Sequence, residues 1–81
     1  MNRAELIDGM IAQGCDVVFV YNGKNSGVCS KVHNSIFSFQ SWYGKKIKEY
    51  GAVNIDTVIA DPFFDGKSIN ELLELIDMHF V

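Results

Sequence analysis

At 81 residues, 48% apolar and 21% charged, the chain has the make-up of one ordinary globular domain and not of a disordered tail. Such a length buries roughly 60–65% of its unfolded surface, enough for one compact core over 1–81 and no second domain. The net charge of −3 disfavours phosphate backbones as partners. No apolar run approaches the roughly 18 residues of a membrane span and no leader follows Arg3, so no membrane contact and a cytoplasmic location are expected.

Asn2-Arg3-Ala4-Glu5 has the form of a capping box, and Leu6, Ile7, Met10 and Ile11 follow at helical spacing. With Gly14 as the left-handed stop, a helix is predicted over 3–13. Asp16–Tyr21 is dense in β-branched and aromatic residues and ends in Asn22-Gly23, a strong two-residue hairpin signal. A return strand over 25–30 then sets Tyr21 opposite Lys24 and Val17 opposite Val28. Asn25-Ser26-Gly27 is a competing turn site. Val32-His33-Asn34 reads as the next turn. Ser35–Ser41 alternates as a third strand, with Phe37 and Phe39 on one face. Trp42-Tyr43-Gly44 closes it, and 45–50 can add a short fourth strand. Asn54 caps a short helix, Ile55–Ala60, that must stop before Pro62. Phe63–Gly66 reads as an apolar connector. Ser68–Glu71 is a second capping box, and Ile69, Leu72, Leu73, Ile76 and Phe80 predict a last helix over 68–79. The expected fold is α+β: a small antiparallel three- or four-stranded meander packed by N- and C-terminal helices.

The order Tyr21-Asn22-Gly23-Lys24, Phe39–Gly44, Glu49-Tyr50 and Phe64–Ile69 resembles small proteins carried by phages and mobile elements of Gram-positive bacteria. Some of these inhibit host defence, the anti-CRISPR proteins among them. The resemblance implies a host protein as partner. It rests on turns, caps and core positions and transfers no catalytic residue.

No catalytic constellation is legible, so the chain is read as non-enzymatic, with no cofactor and no metal. Gly66-Lys67-Ser68 lacks the earlier glycine of a phosphate-binding loop, Asp61 standing in its place, and reads as a helix cap. Cys15, Cys29, His33 and His79 lack the paired spacings of a zinc site. The hairpin register sets the two cysteines on opposite faces and argues against a bridge between them.

Three surfaces can bind a partner. Residues 1–48 carry six basic against three acidic side chains, whereas 49–81 carry seven acidic against Lys67 alone. Asp56, Glu71, Glu74 and Asp77 therefore form a candidate acidic surface able to imitate phosphate charge, or a solvated face. Val18 and Val20 add apolar side chains to the second face of a sheet that should be polar there; they mark a partner or homodimer interface unless a helix covers them. Trp42, Tyr43, Lys45, Lys46 and Lys48 interleave rings and cations as a single-stranded nucleic-acid site does. That surface is the alternative, because direct nucleic-acid contact is not expected of an acidic chain.

Overall fold

The structure, a computed structural model, describes residues 1–81. Asn2 Oδ1 accepts the Glu5 amide at 2.8 Å and Glu5 Oε1 accepts the Asn2 amide at 3.3 Å, so the first capping box opens α1, Arg3–Ile7. The helix then widens into a π turn over Asp8–Ala12 and stops at Gly14, φ +68°. The widening falls at Gly9, where a Cβ would lie 2.1 Å from the Phe80 ring. A glycine there lets the ring sit directly on the backbone.

Asn22 and Gly23, both at positive φ, join β1 (Val17–Tyr21) to β2 (Lys24–His33) in the expected register, Tyr21 opposite Lys24 and Val17 opposite Val28. The strand β2 starts one residue earlier and ends three residues later than predicted, so the next turn falls at Asn34-Ser35. Gly44, φ +60°, then joins β3 (Ile36–Tyr43) to β4 (Lys46–Tyr50). Asn54 Oδ1 accepts the Asp56 amide and caps α2 over Ile55–Ala60, as predicted.

The C-terminal segment departs from expectation. The Ser68–Glu71 box forms, but α3 is a single turn, Ile69–Leu72, and not a helix over 68–79. Beyond it Leu75 is 70% exposed, Met78 turns into the core, and His79–Phe80 form β5. The strand β5 pairs with β1, and Asp16 and Val81 exchange two backbone bonds at 3.0 and 2.9 Å. Short helices are marginal by themselves. Pairing the outer edge of β1 and seating Phe80 on Gly9 outweigh the helical periodicity of 73–80. The sheet therefore has five antiparallel strands, ordered β4-β3-β2-β1-β5, where three or four were expected.

Only one sheet face meets the core. Val17, Phe19, Val28, Phe39 and Tyr43 point to it, and Leu6, Met10, Val58, Ile59, Ile69 and Leu72 cover them from the helices. Phe39 and Leu72 share this core, whereas Ile76 packs at its margin, half-buried. Phe64 stands at its centre against Phe19, Tyr43 and Phe63. A tight Asp65-Gly66 turn, closed by mutual Phe64–Lys67 backbone bonds at 3.0 Å, presents that ring.

Candidate interaction surface

With the helices on one face, the other face of the sheet stays open. Strict alternation puts Val18, Gly27, Trp42 and Ile47 in one register row across four strands on that open face. The Trp42 ring lies over Gly27: a Cβ at 27 would fall 2.4 Å from indole Cζ2 and 2.7 Å from Cη2. The missing side chain lets the ring lie low and leaves a groove of about 550 Å³ toward the β1 edge. Val18, Val20, Trp42 and Ile76 supply its apolar walls, and Asp77 and His79 stand at its polar side. Val20 is 60% exposed and Ile47 62%. Apolar side chains so placed on one face mark contact surfaces more often than isolated exposed ones do.

The groove runs along an incomplete sheet edge. Tyr21 and Lys24 close a two-residue turn, so Tyr21, Phe19 and Val17 bond to β2 while Val20, Val18 and Asp16 direct their backbone groups outward. Asp16 meets Val81 and Val18 meets His79. Val20 has no partner beyond it, because the two-residue β5 has ended and Asp77 makes no backbone bond there.

The structure divides the residues singled out from sequence. Val18, Val20 and Asp77 come together at the groove. Asp56 is ion-paired to Arg3, and Glu71 serves the capping box while standing 3.8 Å from Lys67 Nζ. The Ser68 backbone amide, bonded to Glu71, holds that carboxyl below its usual range. Glu74 and Asp77 are exposed carboxylates free of ion pairs. Two of the four acidic residues are thus engaged within the chain and two are not.

Trp42 and Tyr43 cannot make one stacking platform. They are neighbours on a strand, so Trp42 faces the open side while Tyr43 is buried in the core with Lys24 Nζ 4.8 Å from its ring centroid. Lys45 and Lys46 are exposed, but Lys48 Nζ donates to Asp61 at 2.7 Å. Asp61 also accepts the Tyr50 hydroxyl. Bonds from Lys48 and then Tyr50 hold the Asp61 carboxyl below its usual range, while burial and the Asp61 bond push Tyr50 up to about 12. This cluster ties the α2 exit to β4.

Both thiols are unpaired, and burial, aided by Asp16, pushes Cys29 up and away from the nucleophilic thiolate. No three histidine, cysteine or carboxylate side chains converge as metal ligands, and no helix is long and apolar enough to cross a membrane. Sequence reasoning missed the seat of the Trp42 ring, Gly27, and a wall of the groove, Ile76. A glycine inside an apolar strand signals close approach by another group, and Gly27 carried that signal within the predicted return strand, where only a competing turn was considered for it. Compared with protein-family models, curated proteins and solved structures, the chain matches none.

Proposed function

We propose that this chain is a non-enzymatic protein-interaction module that engages its partner through the open face of the sheet. The observation that carries this reading is the Val18–Gly27–Trp42–Ile47 row, an apolar band across four strands with no helix over it. Polar residues should fill that face if water were its only neighbour. The resemblance to phage and mobile-element proteins supplies the context: a cytoplasmic inhibitor, of the anti-CRISPR type, bound to a host protein such as a nucleic-acid-binding defence effector. Direct nucleic-acid binding fits less well. The Trp42–Lys48 segment turns its two rings to opposite faces and commits Lys48 to Asp61.

A photo-reactive side chain placed at position 47 tests this reading, with position 32, also exposed but on the opposite face of the sheet, as reference. In the native host, position 47 should cross-link one defined host protein and position 32 should not. Cross-linking only to a second copy, with dimers in light scattering, assigns the face to a homodimer instead. Labelling from 32 but not from 47 removes the open face from consideration.

A further inference from the structure

We propose that the β1 edge at Val20, together with the groove beside it, takes an extended basic segment of the partner protein as an added strand; this rests on the interaction-module reading. Strand addition needs outward backbone groups, a pocket for alternate side chains, and nothing that repels the incoming chain. Three stretches of the sheet's rim offer backbone groups; Phe80 on β5 turns its own away from β1, but no groove borders it. On β4, Ile47 and Glu49 direct theirs outward, since Tyr43 and Lys46 close the preceding turn. That edge carries Lys46, Lys48 and Glu49 in five residues, the charged pattern by which proteins protect an edge.

The β1 edge is different. Val20 has an outward N–H and C=O with no partner, an exposed apolar side chain, and a groove directly on its open face. An added strand would bond Val20 and drop one apolar side chain among Val18, Val20, Trp42 and Ile76. The charge of the occupant follows from the lining: Asp77 is its one carboxylate, and no lysine or arginine borders the groove. A lysine or arginine next to the inserted apolar residue would therefore meet an uncompensated carboxylate. A second copy docking by the same edge would bring together two linings that each hold an Asp77 carboxylate and no lysine or arginine, so a basic partner segment is the better occupant.

Trp42 is the single tryptophan and lines the groove, so its emission reports occupancy. The probes are three end-capped heptapeptides: alternating valine and lysine, alternating valine and glutamate, and the valine–lysine peptide with a central proline. The first should shift Trp42 emission saturably and more weakly as salt rises, and the other two should bind at least ~10-fold more weakly. Asp77→Asn should weaken the valine–lysine peptide roughly 10-fold, the effect of losing one charge-assisted contact. Val20→Pro removes an N–H that points away from β2, a position where proline is tolerated, and should weaken it as well. Equal binding of the glutamate peptide, no emission change with any peptide at millimolar concentration, or unchanged binding in both variants overturns the proposal. So does a dimer in light scattering that Val20→Pro dissociates. Host cross-linking from position 47 that persists in both variants would leave the open-face reading standing and refute the edge alone.

Discussion

Trp42 rests on Gly27, so closely that the indole occupies the space a side chain at 27 would need. The same Cβ would also fall 2.4 Å from the Val17 carbonyl oxygen, so Gly27→Ala must move the ring, the β1–β2 pairing, or both. Overpacking of this kind costs about 1–3 kcal/mol. Denaturation midpoints should fall accordingly, and Trp42 emission should shift to the red as the ring lifts into water. Adding Trp42→Ala should restore part of the loss. A Gly27→Ala protein as stable as the parent, with unchanged emission, would mean that the ring does not lie there.

The strands were legible because their signals are local. Asn22-Gly23 alone fixes the first hairpin's register, and the period of two in 35–41 assigns Phe37 and Phe39 to one face. Apolar residues on both faces of 17–21 left two outcomes open, one face uncovered or a helix over each, and did not say which. The C-terminal segment was illegible for a long-range reason: His79 and Phe80 become a strand because β1, more than 50 residues earlier, has an edge to pair and Gly9 has room for a ring. No window around 73–80 contains that information. The Asp65-Gly66 turn did carry a readable dipeptide, but only two residues pair across it, too few for the alternation that identifies strands.

That long-range contact gives the second prediction. Were 3–13 a plain helix, Gly9→Ala would be stabilising, since alanine is the better helix former by about 1 kcal/mol. With Phe80 seated on Gly9, the substitution should instead destabilise by about 1–3 kcal/mol, and Gly9→Ala with Phe80→Ala should be more stable than Phe80→Ala alone. Urea denaturation of the four proteins closes the cycle.

Core and surface leucines offer a third comparison. Leu72→Ala empties a fully buried site and should cost about 2–5 kcal/mol. Leu75→Ala, three residues on, should stay within about 0.5 kcal/mol, as exposed positions do. Equal losses at the two positions would restore a longer, docked helix.

The Lys48–Asp61–Tyr50 cluster predicts a stability plateau with two shoulders. The folded-state pKa of Asp61 is depressed, so its contribution is complete above the unfolded value and is lost as pH falls through the lower folded one. Tyr50 is raised from 10.0 to about 12, so its contribution is complete below the unfolded value and is lost as pH rises toward 12. Asp61→Asn should abolish the acid shoulder. It should move Tyr50 down only part of the way, because burial is the larger cause of that shift. Tyrosinate absorbance should show a late-titrating component, and Tyr50→Phe should remove it.

The last prediction separates charges that hold the fold from charges free to meet a partner. Glu71 is committed: its carboxylate accepts the Ser68 amide at 3.1 Å and stands across from Lys67. Glu71→Lys should lower the melting temperature, because it removes half of the capping box and places like charges four residues apart. Glu74 and Asp77 make no such contact, so reversing both to lysine should leave the melting temperature almost unchanged. Exposed charges act chiefly on association rate, so with a basic host partner the double reversal should slow binding roughly 10-fold at low salt and much less at high salt. Neutralising Lys45 and Lys46 should change that rate little; Lys48 is left intact because Asp61 depends on it. If the lysine variant loses binding while the Glu74–Asp77 reversal keeps it, the acidic side is not the docking side, and the contact must be sought at the β3–β4 turn.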